Sequence, residues 1–223
     1  MNVQDWKLLS RCELFAGMTR AEIGDFLALS GAEKVTLGKK RICLLAGEEC
    51  RHLYIVVSGR LVARMDGLSG KMVDVVRMGV GYVLAPAFLF ASAGRMPVCV
   101  ETETDVEMLR ISRRTIRHQV DKDEKFRWNY IRVLSDMASF LADKMRFLSL
   151  FTVKEKVCCY LLSLSRAQSS ATVTLDLSRQ SMADSFGIQK FSLLRCLAGL
   201  VAQGAILVDG KRITIVDRGK LKP

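Results

Sequence analysis

Apolar and polar positions change period several times along the chain, and each change marks an expected structural element. Residues 14–30 read as a short helical lead-in: Thr19-Arg-Ala-Glu22 has capping-box spacing, and Ile23, Phe26 and Leu27 make an apolar face. From Glu33 to Ser112 short runs rich in Val, Ile, Leu and Tyr alternate with glycines. The runs are 34–37, 41–45, 53–58, 60–65, 72–78, 98–103 and 107–111; the turns carry Gly38, Gly47, Gly59, Gly67, Gly70, Gly79 and Gly81. Short strands at such close spacing predict an antiparallel sandwich or barrel. Over 121–149 the period becomes helical. Phe126, Tyr130, Val133, Met137, Phe140 and Phe147 recur at four-three spacing, while Leu134, Leu141 and Leu148 lie one position along. A stripe this wide suits a helix packed on its own barrel and on a partner chain. Lys144 interrupts the seam and marks its expected frayed end.

Thr152-Val-Lys-Glu155 is a second capping box, opening a helix that runs to about Arg166. A polar loop at 168–172 and an alternating strand at 173–177 follow. Two short helices, 179–186 and 189–203, then meet around Gly187. The chain closes on 205–208, the turn Asp209-Gly210 and 212–216, and an Asp-Gly turn between β-branched runs is a hairpin signal. The fold class expected is α+β: an N-terminal antiparallel β-barrel, a long helix and a C-terminal winged helix-turn-helix.

Composition narrows the function. The 223 residues carry a formal charge of +11, which suits a polyanionic partner such as nucleic acid. Residues 151–223 hold eleven Lys and Arg against five Asp and Glu. No run approaches a membrane span, and the start, with Asp5, Lys7, Arg11 and Glu13, lacks a signal-peptide pattern, so a cytoplasmic protein is expected. Seven cysteines without a C-x-x-C spacing argue against a disulfide framework and a zinc ribbon; most read as small buried hydrophobes.

The segment 178–204 carries the functional reading. Ser178 can cap its first helix, on which Met182, Ala183 and Phe186 face inward; Gly187 suits the left-handed turn; Ile188, Leu193, Leu197 and Leu200 form the buried side of the second helix. The other side is expected to show Gln189, Lys190, Ser192 and Arg195, donors suited to base edges and phosphates in the major groove, with the following hairpin as the wing.

Several residues resemble the Crp/Fnr family of bacterial regulators over nearly the whole chain. They are Phe15-Ala-Gly-Met18, Gly47-Glu48, Tyr54-Ile-Val-Val-Ser-Gly59-Arg-Leu-Val62, Gly79-Val-Gly81, Ser178-Arg-Gln180, Gly187 and Arg195. The resemblance implies a jelly-roll barrel of cyclic-nucleotide-binding type over 1–120, a dimerisation helix over 121–149 and a winged helix-turn-helix over 150–223, reading a palindrome as a homodimer. Ser178, Arg179 and Gln180 match family positions that touch the DNA backbone, and Arg195 matches the arginine that hydrogen-bonds a guanine. Lys190 stands where members often have arginine. Phe191 replaces a glutamate that reads cytosine, so the half-site should depart from the best-known one. The dimer seam is assigned to Phe126, Tyr130, Val133, Met137, Phe140, Leu141 and Leu148. Double-stranded DNA, a second copy of the chain and RNA polymerase are the expected partners, with no membrane.

The barrel departs further from the family pattern. Family members that bind cyclic nucleotides carry a Gly-Glu pair for the ribose and, about ten residues on, an arginine for the phosphate. The matching stretch here is Gly81-Tyr-Val-Leu-Ala-Pro86, and the later position falls at Met96. Arg95 is adjacent, but a one-residue shift in a strand turns a side chain to the other face. Cyclic AMP is therefore not expected as effector. Val83, Leu84, Ala85, Pro86, Arg95 and Met96 mark the candidate effector pocket, although the apolar stretch through Phe90 reads first as filled core. Haem is disfavoured because His52 and His118 are isolated, and an iron–sulfur cluster because only Cys12 lies early. No catalytic motif appears; Glu48 and Glu49 near His52 read as solvated turn charges, so an enzyme is not expected. The remaining rival is a cyclic-nucleotide-type ligand-binding scaffold that does not read DNA.

Overall fold

The computed structural model describes residues 9–67 and 72–221, so the expected turn at Gly70 lies outside the described residues. The chain divides into two compact units, one of residues up to Met65 with Val75–Leu141, the other of Asp66–Asp74 with the chain from Ala142 onward.

The first unit begins with a 3-10 turn, Glu13–Phe15, and helix α1, Arg20–Ser30. Thr19 and Glu22 cap α1 reciprocally, and Gly31 in the left-handed region ends it. Eight strands follow: β1 (Glu33–Leu37), β2 (Ile42–Leu44), β3 (His52–Ser58), β4 (Leu61–Asp66), β5 (Met72–Met78), β6 (Val83–Leu84), β7 (Cys99–Thr102) and β8 (Val106–Ser112). They form two four-stranded sheets, β1-β8-β3-β6 and β2-β7-β4-β5. Leu53, Ile55, Leu61, Met108 and Ile111 fill the core between them, where each large apolar side chain is worth roughly 1.5–3 kcal/mol.

Two short elements escape the periodicity. Strand β6 runs into a single-turn helix α2, Pro86–Leu89, through Ala85, which adopts a left-handed backbone at φ +65°. The long helix expected over 121–149 is preceded by a separate helix that the periodicity does not show. Helix α3, Arg113–Lys122, is capped by Ser112, and the chain then breaks at Asp123, whose Oδ1 accepts from the Phe126 amide at 3.0 Å. Helix α4, Glu124–Leu150, starts there. Residues 113–120 carry two apolar side chains, Ile116 and Val120, which is too few to set a readable period.

In the second unit, helix α5 (Val153–Ala167) is opened by the Thr152–Glu155 capping box. Strand β9 (Thr172–Thr174), helix α6 (Arg179–Phe186), helix α7 (Lys190–Ala202) and the hairpin β10 (Ile206–Asp209) and β11 (Arg212–Ile215) complete it. The three strands form an antiparallel sheet ordered β10-β11-β9, with Asp209 facing Arg212 across the turn. Val157, Leu161, Met182, Phe186, Leu193, Leu197 and Ile213 are its core. Lys144 marks no frayed end: α4 continues to Leu150, and the Lys144 ammonium donates to the Ser185 carbonyl at 2.8 Å, beside the end of α6.

Candidate nucleic-acid interface and effector cavity

Ser178 is the N-cap of α6; its Oγ accepts from the Ser181 amide at 3.0 Å. Gly187 ends the helix at φ +63°, and the Ile188 amide reaches back to the Ala183 carbonyl at 3.0 Å. Only a residue without Cβ takes this left-handed turn at little cost, and the turn sets the angle at which α7 leaves. Met182, Ala183 and Phe186 are buried beneath α7 with Leu193, Leu197 and Leu200.

The open side of α7 shows Lys190, Phe191, Leu194, Arg195 and Ala198. Lys190 and Arg195 stand where the sequence puts them. Ser192 is half-buried, turned toward the flank of the helix. Phe191 is 71% exposed and Leu194 42%, so the centre of this face is more apolar than the donors alone suggested. Gln189 occupies the N-cap position of α7 but makes no side-chain cap hydrogen bond.

The residues of α6 are held differently from one another. The side-chain Nε2 of Gln180 donates to Asp184 Oδ1 at 2.8 Å. Arg179 donates from Nη2 to the Gly210 carbonyl at 2.9 Å, and partial burial lowers its pKa. Arg179 thus ties the start of α6 to the tip of the β10–β11 hairpin, a link that neither spacing nor charge pattern signals. Four of its five N–H donors are not used by that bond.

In the first unit, an apolar cavity of about 160 Å³ opens between the sheets and α4. Ala63, Met78, Leu84, Ala85, Phe88 and Met96 wall it, with Met137, Phe140 and Leu141 of α4 at one side. Of the candidate pocket residues, Leu84, Ala85 and Met96 belong to this lining. Val83 lines a separate cleft beside Arg11 and Glu13. Pro86 is buried as the first residue of α2, where its carbonyl accepts from the Tyr130 hydroxyl at 2.7 Å. Arg95 points away: it is exposed and donates to the Gly47 carbonyl at 2.7 Å, while Met96 next to it is buried. Among the described residues no cationic side chain lines the cavity, and neither histidine does.

The seam of α4 divides into two. Phe126, Tyr130 and Val133 are buried in the core of their own unit, so they are corrected from partner contacts to intrachain packing. Met137 and Phe140 border the cavity. A neighbouring stripe at three-four spacing runs through Ile131, Leu134, Ala138, Leu141, Met145 and Leu148; Ile131, Leu141 and Met145 are 42%, 42% and 67% exposed, while Leu134 packs against the core of its own unit and Leu148 is half-buried. Leu141 and Leu148 of the expected dimer seam belong to this stripe.

Burial pushes the Cys12 thiol up to about 12 and the Cys43 thiol to about 11, which makes both poor nucleophiles. All seven cysteines are unpaired thiols. Glu49 pairs with Arg51 at 2.8 Å, and Glu48 accepts from the Leu45 amide, so the cluster near His52 is a set of turn contacts. Among the described residues no group of three potential ligands could hold a metal ion, and no helix is long and apolar enough to cross a membrane.

Comparison with known proteins agrees with this arrangement. Residues 155–223 match the Crp-like helix-turn-helix domain, and residues 34–123 match the cyclic nucleotide-binding domain. The cAMP-activated global transcriptional regulator CRP of Haemophilus influenzae is 21% identical over 180 residues, covering 79% of this chain and 80% of that protein. The nitrogen fixation regulation protein FixK of Azorhizobium caulinodans is 26% identical over 179 residues, 77% of this chain and 70% of that one. Among solved structures, the c-di-GMP responsive global regulator CLP of Xanthomonas campestris superposes with a TM-score of 0.74 at 20% identity, over 87% of this chain and 98% of that chain. At that identity the superposition speaks for the fold alone.

Proposed function

The chain belongs to the Crp/Fnr family of DNA-binding transcription regulators, and from that premise we propose that it reads a palindromic site as a homodimer, with an effector other than cyclic AMP. The observation that carries the reading is the α6–Gly187–α7 arrangement, whose open face presents Lys190 and Arg195 in a strongly basic unit backed by a hairpin. The N-terminal part of α7 would enter the major groove. There Arg195 suits bidentate contact with guanine, and Lys190 suits a phosphate. Ser178, Arg179 and Gln180 would meet the phosphate backbone, while Arg179 also holds the wing tip in place.

The Ile131–Leu148 seam supports pairing of two chains along α4, since a three-four repeat of this length is the signature of a coiled-coil contact. Two recognition helices related by that dyad would meet half-sites about one helical turn apart. RNA polymerase would be the further partner of a regulator so placed. The cavity lining supports the exclusion of cyclic AMP: a cyclic phosphate needs a cation or several donors, and these walls offer neither. An uncharged, mostly apolar molecule matches the lining better. Its binding would act through Met137, Phe140 and Leu141 on the dimer helix, as a shift between two populations.

The test is titration of labelled operator duplex with the parent protein and two variants. Arg195→Ala should cost roughly 1–3 kcal/mol and relax preference at one base position. Lys190→Ala should weaken all sequences alike and lower the salt slope by about 1. If Arg195→Ala leaves affinity and preference unchanged, the reading geometry is wrong.

A further inference from the structure

Phe191 stands in the first turn of α7 with 71% of its surface open, and among the described residues no other phenylalanine is exposed to that degree; Phe90 and Phe140 reach 45% and 41%. The helix buries Leu193, Leu197 and Leu200, so Phe191 is on the side away from the core. It adjoins Lys190 and precedes Arg195 by four residues, a spacing that makes Phe191 and Arg195 neighbours on one helix face. An apolar ring is therefore set between two cations on the surface assigned to DNA, with Leu194 beside it.

The ring can neither donate to a base edge nor accept from a base amino group, so it cannot read hydrogen-bond patterns. What it can bury is an apolar group, and the major groove presents one: the C5-methyl of thymine. We propose that Phe191 reads this methyl group and so imposes a thymine requirement at one position of each half-site, next to the base contacted by Arg195. The inference rests on the reading of α7 as the recognition helix. It concerns a residue that the charge pattern passes over.

Single-atom-group substitution in the duplex tests this. With the full chain and its selected operator, each thymine is replaced in turn by deoxyuridine, which keeps the base pair and removes only the methyl. One position per half-site should weaken binding about fourfold, the worth of one buried methyl, and the symmetric double replacement about fifteenfold. Phe191→Ala, which alters an exposed side chain and should leave the thermal midpoint unchanged, should bind the thymine and uracil duplexes equally. Intact binding with a flat uracil profile would overturn the methyl contact and leave the DNA reading standing. An equal uracil penalty in Phe191→Ala would assign the methyl to another side chain and overturn the proposal. Failure to bind any duplex would overturn both readings together.

Discussion

Substituting Ala63 by leucine probes the space beneath α4 directly. Ala63 lies in β4, is 3% exposed and walls the 160 Å³ cavity. At roughly 30 Å³ per water-sized group, that space takes about five such groups, and leucine adds three carbons. Burial of three methylene equivalents contributes about 2.4 kcal/mol, and fixing the longer side chain costs about 0.5–1 kcal/mol. The net gain is about 1.5 kcal/mol, which should raise the thermal midpoint by about 3–6 °C. Thermal and urea unfolding followed by circular dichroism measure it, with the urea slope expected to be unchanged. A fall in midpoint of similar size would refute the reasoning. It would mean that the neighbouring side chains close the space in solution and that the added carbons overpack it.

Other expectations follow from single positions. Gly59→Ala should destabilise by at least about 3 kcal/mol, since the backbone there is left-handed at φ +84° and an added Cβ would sit 2.1 Å from the Asp105 carbonyl oxygen; an unchanged thermal midpoint would contradict it. Glu22, whose carboxyl is held at about 2 by the Thr19 amide and Lys125, contributes stability that is present above the ordinary carboxylate range and is lost as pH falls toward 2. Denaturation at pH 5 and pH 2.5 should therefore show a smaller acid loss in Glu22→Gln than in the parent, and parallel losses would remove this contact from the account. Gln189→Ser should stabilise by about 0.5–1 kcal/mol by supplying the missing cap of α7, read as a rise in urea midpoint; no rise would show that the N-terminus is already satisfied.

Much of the architecture is legible in the sequence because its signals are local. Alternation and glycines locate seven of the strands, Asp209-Gly210 locates the hairpin, and both capping boxes form as spaced. The elements that escape are those whose cause is not periodic. Helix α2 depends on Ala85 taking a glycine-like backbone, and the break before α4 depends on one aspartate side chain bonding to the Phe126 amide. At the candidate site, Lys190 and Arg195 are readable from helical spacing. Arg179 as the clamp on the wing tip is not, because Gly210 lies thirty-one residues away and the bond is to backbone. Phe126, Tyr130 and Val133 read as part of a partner seam because the sequence shows two adjacent apolar stripes on α4, and only packing tells which residues face the chain's own core.

The most direct test of the central claim is selection of bound duplexes from a randomised DNA pool at near-physiological salt, with and without cyclic AMP. A two-fold-symmetric motif should emerge equally in both conditions. A motif that appears only with the nucleotide would contradict the cavity reading, and no enriched motif in either condition would contradict the claim that α7 reads DNA sequence.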